Sequence, residues 1–330
     1  MNYKGNQILR PYVTEQSWNS DGTKFIFGYN ETLYEYDIVN QTARALDTAR
    51  VDGVHLMAVV TPENKIYYRK PYSGTWCIDW TNYCKTKISD YQFNLISVTN
   101  NGNYITGTYV GATDNATTLY RADVVKGTLE SMPCNLSTAN NSVGANHLQI
   151  NPEYSNLMFF CNEGNTAMPD RMWLADWTSL STTNAFVQNK NNDGTAKEYF
   201  GHEVWGMTGE KLYWVSYDET GTTESLQGLC RSDKDGSNRE YINRDYSYWH
   251  CYPSGDDNWI VADTADGQIL LVSTQTKKSK YLAKFSMNNN WSHPYQPHPV
   301  ISFNSSSVGW QMVYNNVLGC AWMDVTDITE

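Results

Sequence analysis

Residues 17–28 read Ser-Trp-Asn-Ser-Asp-Gly-Thr-Lys-Phe-Ile-Phe-Gly, and residues 32–37 read Thr-Leu-Tyr-Glu-Tyr-Asp. The first stretch opens with a polar turn that contains Asp-Gly and continues into residues where Phe25 and Phe27 alternate with Ile and Gly. Because successive side chains of a strand point to opposite faces, this alternation predicts a strand that follows a tight turn. The second stretch predicts the strand that pairs with it.

The same unit, a polar turn followed by a short alternating strand, recurs along the chain at a spacing of roughly 35 to 55 residues. Its later copies begin at Thr61, Thr99, Asn151, Met207, Ser254 and Phe303. Seven units of this length are typical of propellers, in which each blade is a four-stranded sheet. We therefore predict an all-β, seven-bladed β-propeller with four-stranded antiparallel blades, formed by residues 1–330 as a single domain. Residues 7–13 are expected to pair beside residues 319–325 and close the ring.

Composition agrees with an all-β fold and excludes some partners. The chain has 12 Trp, 24 Tyr and 9 Phe, and only 18% of its residues are charged, which favours pleated, half-buried surfaces. The formal net charge is −11 and no run of Lys or Arg stands out, so nucleic acid is excluded as a partner. No segment approaches the ~18 consecutive apolar residues of a membrane span.

The expected compartment is the cytoplasm, because the N-terminus has no apolar stretch of the signal-peptide type. Secretion or a periplasmic location is the alternative if a leader has been removed. The sequence does not indicate an oligomeric state.

Histidines are few, and their positions relative to the repeats point to a shared site. The chain has six, of which four lie in its second half. His202 and His250 stand just before the first strands of the fifth and sixth repeats. In a propeller, the loops that lead into the innermost strands open on one face, so equivalent residues of successive blades converge there. The alternative for His202 is a packed histidine that is bonded to a backbone carbonyl.

Residues 293–299, which read His-Pro-Tyr-Gln-Pro-His-Pro, form the densest group of potential metal ligands. The three prolines keep this run extended, so Gln296 and His298 point to the same side and His293 can fold over them. Together with His250 they supply three imidazole nitrogens and one amide oxygen, which suits a borderline divalent ion such as Mn²⁺. The alternative is a surface turn whose histidines cap loops or stack on the neighbouring tyrosine.

Other polar residues interrupt strands that are otherwise apolar. Arg171 begins such a strand, where a charge is costly unless it is paired or faces a polar channel. An ion pair with Asp170 or Glu163 is the alternative explanation. His147 and Gln149 lie two residues apart and therefore on one face of a strand.

Six segments share their order and spacing with a known family: residues 146–152 (Asn-His-Leu-Gln-Ile-Asn-Pro), 161–164 (Cys-Asn-Glu-Gly), 170–173 (Asp-Arg-Met-Trp) and 201–205 (Gly-His-Glu-Val-Trp), then His250 and 293–299. On these segments, from about residue 145 to 310, the chain resembles the oligogalacturonate lyases of polysaccharide lyase family 22. In that family a seven-bladed propeller holds a manganese-type ion through three histidines and a glutamine. The resemblance places these ligands on His250, His293, Gln296 and His298, the catalytic base on His202 and an essential arginine on Arg171.

Two departures from the family pattern put the substrate in doubt. Asn162 stands where the Cys-His-Glu-Gly stretch of the family has its histidine. The order of His and Gln in residues 293–298 is exchanged relative to some members. Neither change removes a ligand type.

The resemblance implies a lyase that cleaves acidic oligosaccharides by β-elimination, with a divalent ion, Mn²⁺ first, neutralising the C6 carboxylate of the sugar. His202 is then the base that takes the C5 proton, and Arg171 holds the carboxylate or stabilises the developing charge. His147, Gln149 and Tyr248 are the expected substrate contacts. Tyr248 or Tyr246, which stand just before His250, is also a candidate for protonating the leaving oxygen, with water as the alternative.

Three other functions remain open at the level of sequence. The first is a lyase for a different uronate glycan, such as rhamnogalacturonan or ulvan fragments. The second is a sugar-binding propeller without catalytic activity that has kept a structural metal. The third is a glycoside hydrolase, which needs two carboxylates beside the bond, for which Glu163 and Glu203 are the candidates.

Overall fold

The computed structural model describes residues 7–12, 14–51, 55–134, 136, 144–162, 170–184, 186–190, 192, 194, 196–217, 227–285, 295–314 and 317–329. Its strands form seven separate antiparallel sheets, each built from strands that follow one another in sequence. This arrangement is the seven-bladed β-propeller that the repeats predict.

Blades one to three occupy the first part of the chain. Blade one contains β1 (Lys24–Tyr29), β2 (Thr32–Asp37) and β3 (Thr42–Thr48). Blade two contains β4 (Ala58–Thr61), β5 (Lys65–Lys70), β6 (Gly74–Asp79) and β7 (Lys85–Ser89). Blade three contains β8 (Phe93–Val98), β9 (Tyr104–Tyr109), β10 (Thr118–Asp123) and β11 (Thr128–Pro133).

Blades four to seven follow in the same way. Blade four contains β12 (Ala145–Ile150), β13 (Leu157–Asn162), β14 (Met172–Asp176) and β15 (Ser181–Thr183), and blade five contains β16 (Tyr199–Trp205), β17 (Lys211–Tyr217), β18 (Gly228–Asp233) and β19 (Glu240–Asn243). Blade six contains β20 (Tyr248–Pro253), β21 (Trp259–Thr264), β22 (Gln268–Ser273) and β23 (Ser279–Lys284). Blade seven contains β24 (Val300–Ile301), β25 (Ser307–Tyr314) and β26 (Val317–Asp324), and the short helix α1 (Thr326–Thr329) follows it.

The prediction of four strands in every blade is wrong for blades one and seven, which have three each. In blade one a turn closed by the hydrogen bond from the N–H of Glu15 to the carbonyl of Tyr12 interrupts the segment that leads into β1. Among the described residues, two isolated bridges to β1, between Leu9 and Gly28 and between Trp18 and Phe25, stand in place of an inner strand. In blade seven β24 has two residues, because the prolines of residues 297–299 lack the N–H that would extend the ladder.

The N-terminal segment lies between the last and the first blade. The N–H of Ile8 donates to the carbonyl of Leu318 on β26 at 3.2 Å. Leu9 exchanges two backbone hydrogen bonds with Gly28 on β1, at 2.9 and 2.7 Å. The expected pairing of the N-terminal segment with the C-terminal strand therefore consists of one hydrogen bond, and the segment then pairs with β1. Val13, which was included in this prediction, lies outside the described residues.

The apolar core lies between neighbouring sheets. β20 contacts both β16 and β17 of blade five and β24 of blade seven, and β12 contacts β8 and β9 of blade three. Strands that are buried on both faces are apolar throughout, as in β22, where Ile269 through Val272 are completely buried. Among the described residues, no helix is long and apolar enough to cross a bilayer.

Candidate functional site

Four histidines occupy the same structural position in four consecutive blades. In blades four to seven, the backbone N–H that closes the turn after the first strand belongs to Asn151, Gly206, Ser254 and Ser302, and each donates to the residue that opens the second strand. His147, His202, His250 and His298 each lie four residues before one of these positions. The repeat geometry thus brings one imidazole per blade to the same level of the propeller.

Irregular backbone accompanies these histidines. The register of β12 against β13, of β16 against β17 and of β20 against β21 shifts at His147, His202 and His250 respectively. His147, His202 and His298 adopt left-handed backbone conformations, with φ of 51°, 55° and 44°. β-Bulges re-aim side chains, and strained φ values in non-glycine residues cluster at functional sites. The local backbone therefore supports a functional role for this ring of histidines.

Three of the imidazoles form a continuous cluster. The ring centroids of His202 and His250 lie 4.1 Å apart, and those of His250 and His298 lie 4.4 Å apart. His250 and His298 are buried, whereas His202 is half-buried. Rings from blades five, six and seven are thus in direct contact, although their residues are far apart in sequence.

The ring of Tyr12 lies against the other side of this cluster. It makes edge contacts with His298, His147 and His55 at centroid distances of 5.3, 5.6 and 4.9 Å. Tyr12 comes from the N-terminal segment, and His55 from the entry to blade two. The candidate site therefore receives side chains from six blades or segments that converge at one centre, which is where a propeller binds its ligand.

A buried carboxylate orients His250. Its backbone N–H donates to Oδ1 of Asp263 at 2.7 Å, and its Nδ1 lies 2.9 Å from Oδ2. Burial raises the pKa of Asp263 well above its ordinary value, and the backbone N–H of His250 offsets this only in part. With Nδ1–H donated to the carboxylate, the lone pair of Nε2 is available to a metal ion, an arrangement found at most histidine metal sites.

Gln296 and His298 fit a divalent ion. Oε1 of Gln296 lies 3.3 Å from Nε2 of His298. Two ligands at about 2.1 Å from an ion and at right angles lie about 3 Å from each other, so this spacing is that of neighbouring ligands. Imidazole nitrogens and an amide oxygen suit Mn²⁺ and similar ions. His293, the remaining predicted ligand, lies outside the described residues.

The electrostatic surroundings keep His202 neutral. Burial and the neighbouring imidazole of His250 lower the pKa of His202 well below its ordinary value of 6.5, although Glu203 raises it. The charge of Arg171 also lowers this pKa. An imidazole that is neutral at pH 7 has the protonation state that a general base requires.

Arg171 is buried and paired with Glu203. Nε of Arg171 donates to Oε1 of Glu203 at 2.7 Å, and the thiol of Cys161 donates to Oε2 at 3.2 Å. Burial raises the pKa of Glu203, but Arg171 outweighs burial through its charge and hydrogen bond and brings the value to about 2. Glu203 is therefore an ionised carboxylate that is ion-paired with Arg171, so it does not suit the role of general acid in a hydrolase. Glu163, the other hydrolase candidate, lies outside the described residues.

A second set of potential ligands lies next to this ion pair. Donor atoms of His147, Cys161 and Glu203 all lie within 4.8 Å of one another. However, a cation bound here would sit beside the guanidinium of Arg171 and would compete with it for Glu203.

Two predicted substrate contacts have other partners. The amide of Gln149 donates to the carbonyl of Glu203 at 2.7 Å and is buried, so it joins blade four to blade five. The hydroxyl of Tyr248 donates to Oδ1 of Asn243 at 2.5 Å, and the side chain is only 1% exposed. Both side chains therefore support the scaffold in this structure. His147 does lie at the centre, against Tyr12.

Sequence reasoning missed five residues of the site: Tyr12, His55, Glu203 as the partner of Arg171, Tyr217 and Asp263. Asp263 carried a usable signal, because an aspartate within an apolar buried strand implies a specific partner. A second usable signal was the equivalent position of the histidines in successive repeats, which groups His147 with His202, His250 and His298. Tyr12 and His55 reach the site through irregular segments, so no strand pattern could have indicated them.

The fold defines the chain as a seven-bladed β-propeller. Comparison with solved structures identifies proteins that have a similar fold. A structure described as oligogalacturonate lyase in complex with manganese matches with a TM-score of 0.78 and 16% identity, over 96% of this chain and 90% of that chain. Oligogalacturonate lyase from Vibrio parahaemolyticus matches with a TM-score of 0.75 and 17% identity, over 100% and 93%. A chain of the mitotic checkpoint complex matches less well, with a TM-score of 0.56 and 9% identity, over 94% and 89%.

No protein-family model and no curated protein matches the sequence. Identities of 16 and 17% mean that the likeness to the two lyases is one of fold. The chain is thus similar in fold, over nearly its whole length, to oligogalacturonate lyases, as the resemblance implied.

Proposed function

We propose that this protein is a carbon–oxygen lyase that cleaves uronate-containing oligosaccharides of the oligogalacturonide type by β-elimination. The observation that carries the proposal is the contact of His202, His250 and His298, three imidazoles from three blades, on a scaffold that oligogalacturonate lyases share. One of those lyases is described as a manganese complex. We infer a divalent ion, Mn²⁺ first, as the cofactor here.

His250, His298 and Gln296 would hold the ion, and His293 is proposed as a further ligand. When bound, the ion supplies Lewis acidity that neutralises the C6 carboxylate of the sugar and so makes the adjacent C5–H more acidic. The lone pair on Nε2 of His250 is directed by Asp263. Gln296 and His298 already have the spacing of neighbouring ligands.

His202 is the proposed base. It accepts the proton from C5, the electron pair of the C5–H bond forms the C4–C5 double bond, and the C4–O bond breaks with its pair on the leaving oxygen. That oxygen gains a proton from water or from the imidazolium. Arg171, whose charge reaches His202, stabilises the negative charge that develops on the sugar.

The proposed partner is an acidic oligosaccharide, and neither nucleic acid nor a membrane is proposed. The protein carries a formal charge of −11, so an anionic substrate depends on local positive charge at the site. Arg171 and the proposed ion supply that charge.

The test is an incubation of the protein with oligogalacturonides and Mn²⁺, with and without a chelator. The expected product is a 4,5-unsaturated uronate, which is detected by its conjugated ultraviolet absorbance and which the chelator abolishes. Rhamnogalacturonan and ulvan fragments form parallel arms, because the departure at Asn162 concerns the substrate. New reducing ends without the chromophore would identify a hydrolase, and binding without either product would identify a sugar-binding propeller.

A further inference from the structure

The hydroxyl of Tyr217 joins the ring of His202 to the backbone of blade six. Nδ1 of His202 is hydrogen-bonded to this hydroxyl oxygen. The same hydroxyl donates its proton to the carbonyl oxygen of Trp249, at 2.8 Å. A carbonyl can only accept a hydrogen bond, and a phenol has a single proton to give. Tyr217 therefore donates its only proton to the carbonyl of Trp249.

The hydrogen bond from Tyr217 to Trp249 determines the tautomer of His202. Because the proton of Tyr217 points to Trp249, the phenol oxygen must accept the hydrogen bond from Nδ1 of His202. Nδ1 then carries the hydrogen, and in a neutral imidazole the other nitrogen, Nε2, carries the lone pair. We propose that Tyr217 is a positioning residue that fixes His202 as the Nδ1–H tautomer, so that Nε2 is the atom that accepts the substrate proton. This inference rests on the proposed function.

The surroundings make the arrangement rigid. Tyr217 is 6% exposed, and its ring packs edge-on against those of His202 and Trp249, with centroids 6.0 and 5.2 Å away. Trp249 also packs against His202, at 5.7 Å. The three rings thus support one another, and the imidazole has little freedom to turn and exchange its two nitrogens.

Tyr217 acts as a neutral group throughout. Burial, with a further contribution from Glu203, raises the pKa of the Tyr217 phenol well above its ordinary value of 10. The phenol therefore keeps its proton and cannot itself serve as a base. It corresponds in role to the third member of a nucleophile–base–orienter group, which holds the base in one tautomer.

Proton balance is simple in this scheme. The C5 proton moves to Nε2 of His202 and gives an imidazolium whose Nδ1–H remains donated to Tyr217. No proton passes to Tyr217, because its oxygen is neutral and already bears one. The added proton leaves again from Nε2, to water or to the leaving oxygen, so a single atom exchanges protons with the substrate side.

The test combines a tautomer measurement with kinetics on the full chain. Nitrogen-15 histidine spectra of the metal-free wild-type protein, with His202 assigned by comparison with H202A, are expected to show Nδ1–H. In Y217F the Nε2–H form is expected to appear. The kcat on oligogalacturonides should fall by about 10- to 100-fold, the range for loss of a group that orients an active histidine, with KM within about twofold. Mn²⁺ affinity should not change.

The matched control is Y213F, which removes a hydroxyl from another buried tyrosine of β17 and should keep wild-type kcat. A wild-type spectrum with Nε2–H on His202, or a Y217F protein that keeps both the tautomer and kcat, would overturn the inference while leaving the lyase activity in place. The wild-type spectrum tests the tautomer even if Y217F does not fold. A wild-type protein that forms no unsaturated product would instead overturn the proposed function, and the role of Nε2 with it.

Discussion

Nδ1 of His250 lies 2.9 Å from Oδ2 of Asp263, and both side chains are completely buried. The carboxylate also accepts the backbone N–H of His250, so one side chain sets both the position and the tautomer of this imidazole. Asp263 comes from the end of β21, one strand behind His250 in the same blade. His250 is therefore supported by the sheet, whereas Gln296 and His298 lie in the segment before β24.

The first prediction follows from this pair. D263N replaces an acceptor by an amide that can present a donor to Nδ1, so His250 no longer holds its lone pair on Nε2 reliably. Mn²⁺ affinity, measured by titration calorimetry, is expected to fall by about 10- to 100-fold. D266N, in the exposed turn after the same strand, is the control and should bind Mn²⁺ as the wild type does. Unchanged affinity in a folded D263N protein would contradict the role of Asp263.

The second prediction separates the base from the ligands. H202A is expected to bind Mn²⁺ like the wild type and to lose turnover by at least about 100-fold, because it lacks only the general base. H298A is expected to lose both metal and turnover, because His298 is a ligand. Metal content and the rate of unsaturated product formation are measured on the same samples. An active, metal-replete H202A protein would rule out His202 as the base.

The third prediction concerns stability and pH at the Arg171–Glu203 pair. The pKa of Glu203 is lowered to about 2 in the folded protein from an ordinary value of 4.5, so the unfolded chain binds the proton first as the pH falls. The pair therefore contributes stability that is complete above pH 4.5 and is lost as the pH falls towards 2. Between pH 7 and pH 3.5 the loss is on the order of 1 kcal/mol.

The measurement is urea unfolding of the wild type and of E203Q at several pH values. E203Q should be less stable by about 3 kcal/mol or more at pH 7, because it leaves the guanidinium of Arg171 buried without its partner. The difference from the wild type should shrink as the pH falls to 3.5. A difference that stays constant with pH would mean that Glu203 is not ionised against Arg171.

The repeat pattern was sufficient to predict the propeller, because each blade repeats a turn and an alternating strand that must bury its apolar faces against its neighbours. It failed for the strand count of blades one and seven. There, the turn at Tyr12 and Glu15 and the prolines of residues 297–299 shorten the inner strand, and strand periodicity carries no information about such interruptions.

The histidines of the site were accessible from the sequence because they stand at fixed offsets from the turns. For the supporting residues, the sequence marks Asp263 as a polar residue in an apolar strand but does not identify its partner. Asp263 and Tyr217 lie on second strands, whose partners across the sheet depend on register. Tyr248 shows the same limit, because its place just before His250 made it a candidate substrate contact, whereas its hydroxyl donates to Asn243.

The fourth prediction concerns the role of Tyr248. The Tyr248 hydroxyl donates to Asn243 and the side chain is 1% exposed, so it is not positioned to protonate a leaving group. Y248F is therefore expected to keep kcat and KM on oligogalacturonides within about twofold and to lose about 1 kcal/mol of stability with the hydrogen bond. N243A, which removes the acceptor of the same bond, should likewise keep kcat and KM, but it should lose more stability than Y248F, because Asn243 also bonds to Asp245 and to the carbonyl of Lys277. A loss of kcat of tenfold or more in Y248F, with N243A remaining active, would instead restore Tyr248 as the proton donor.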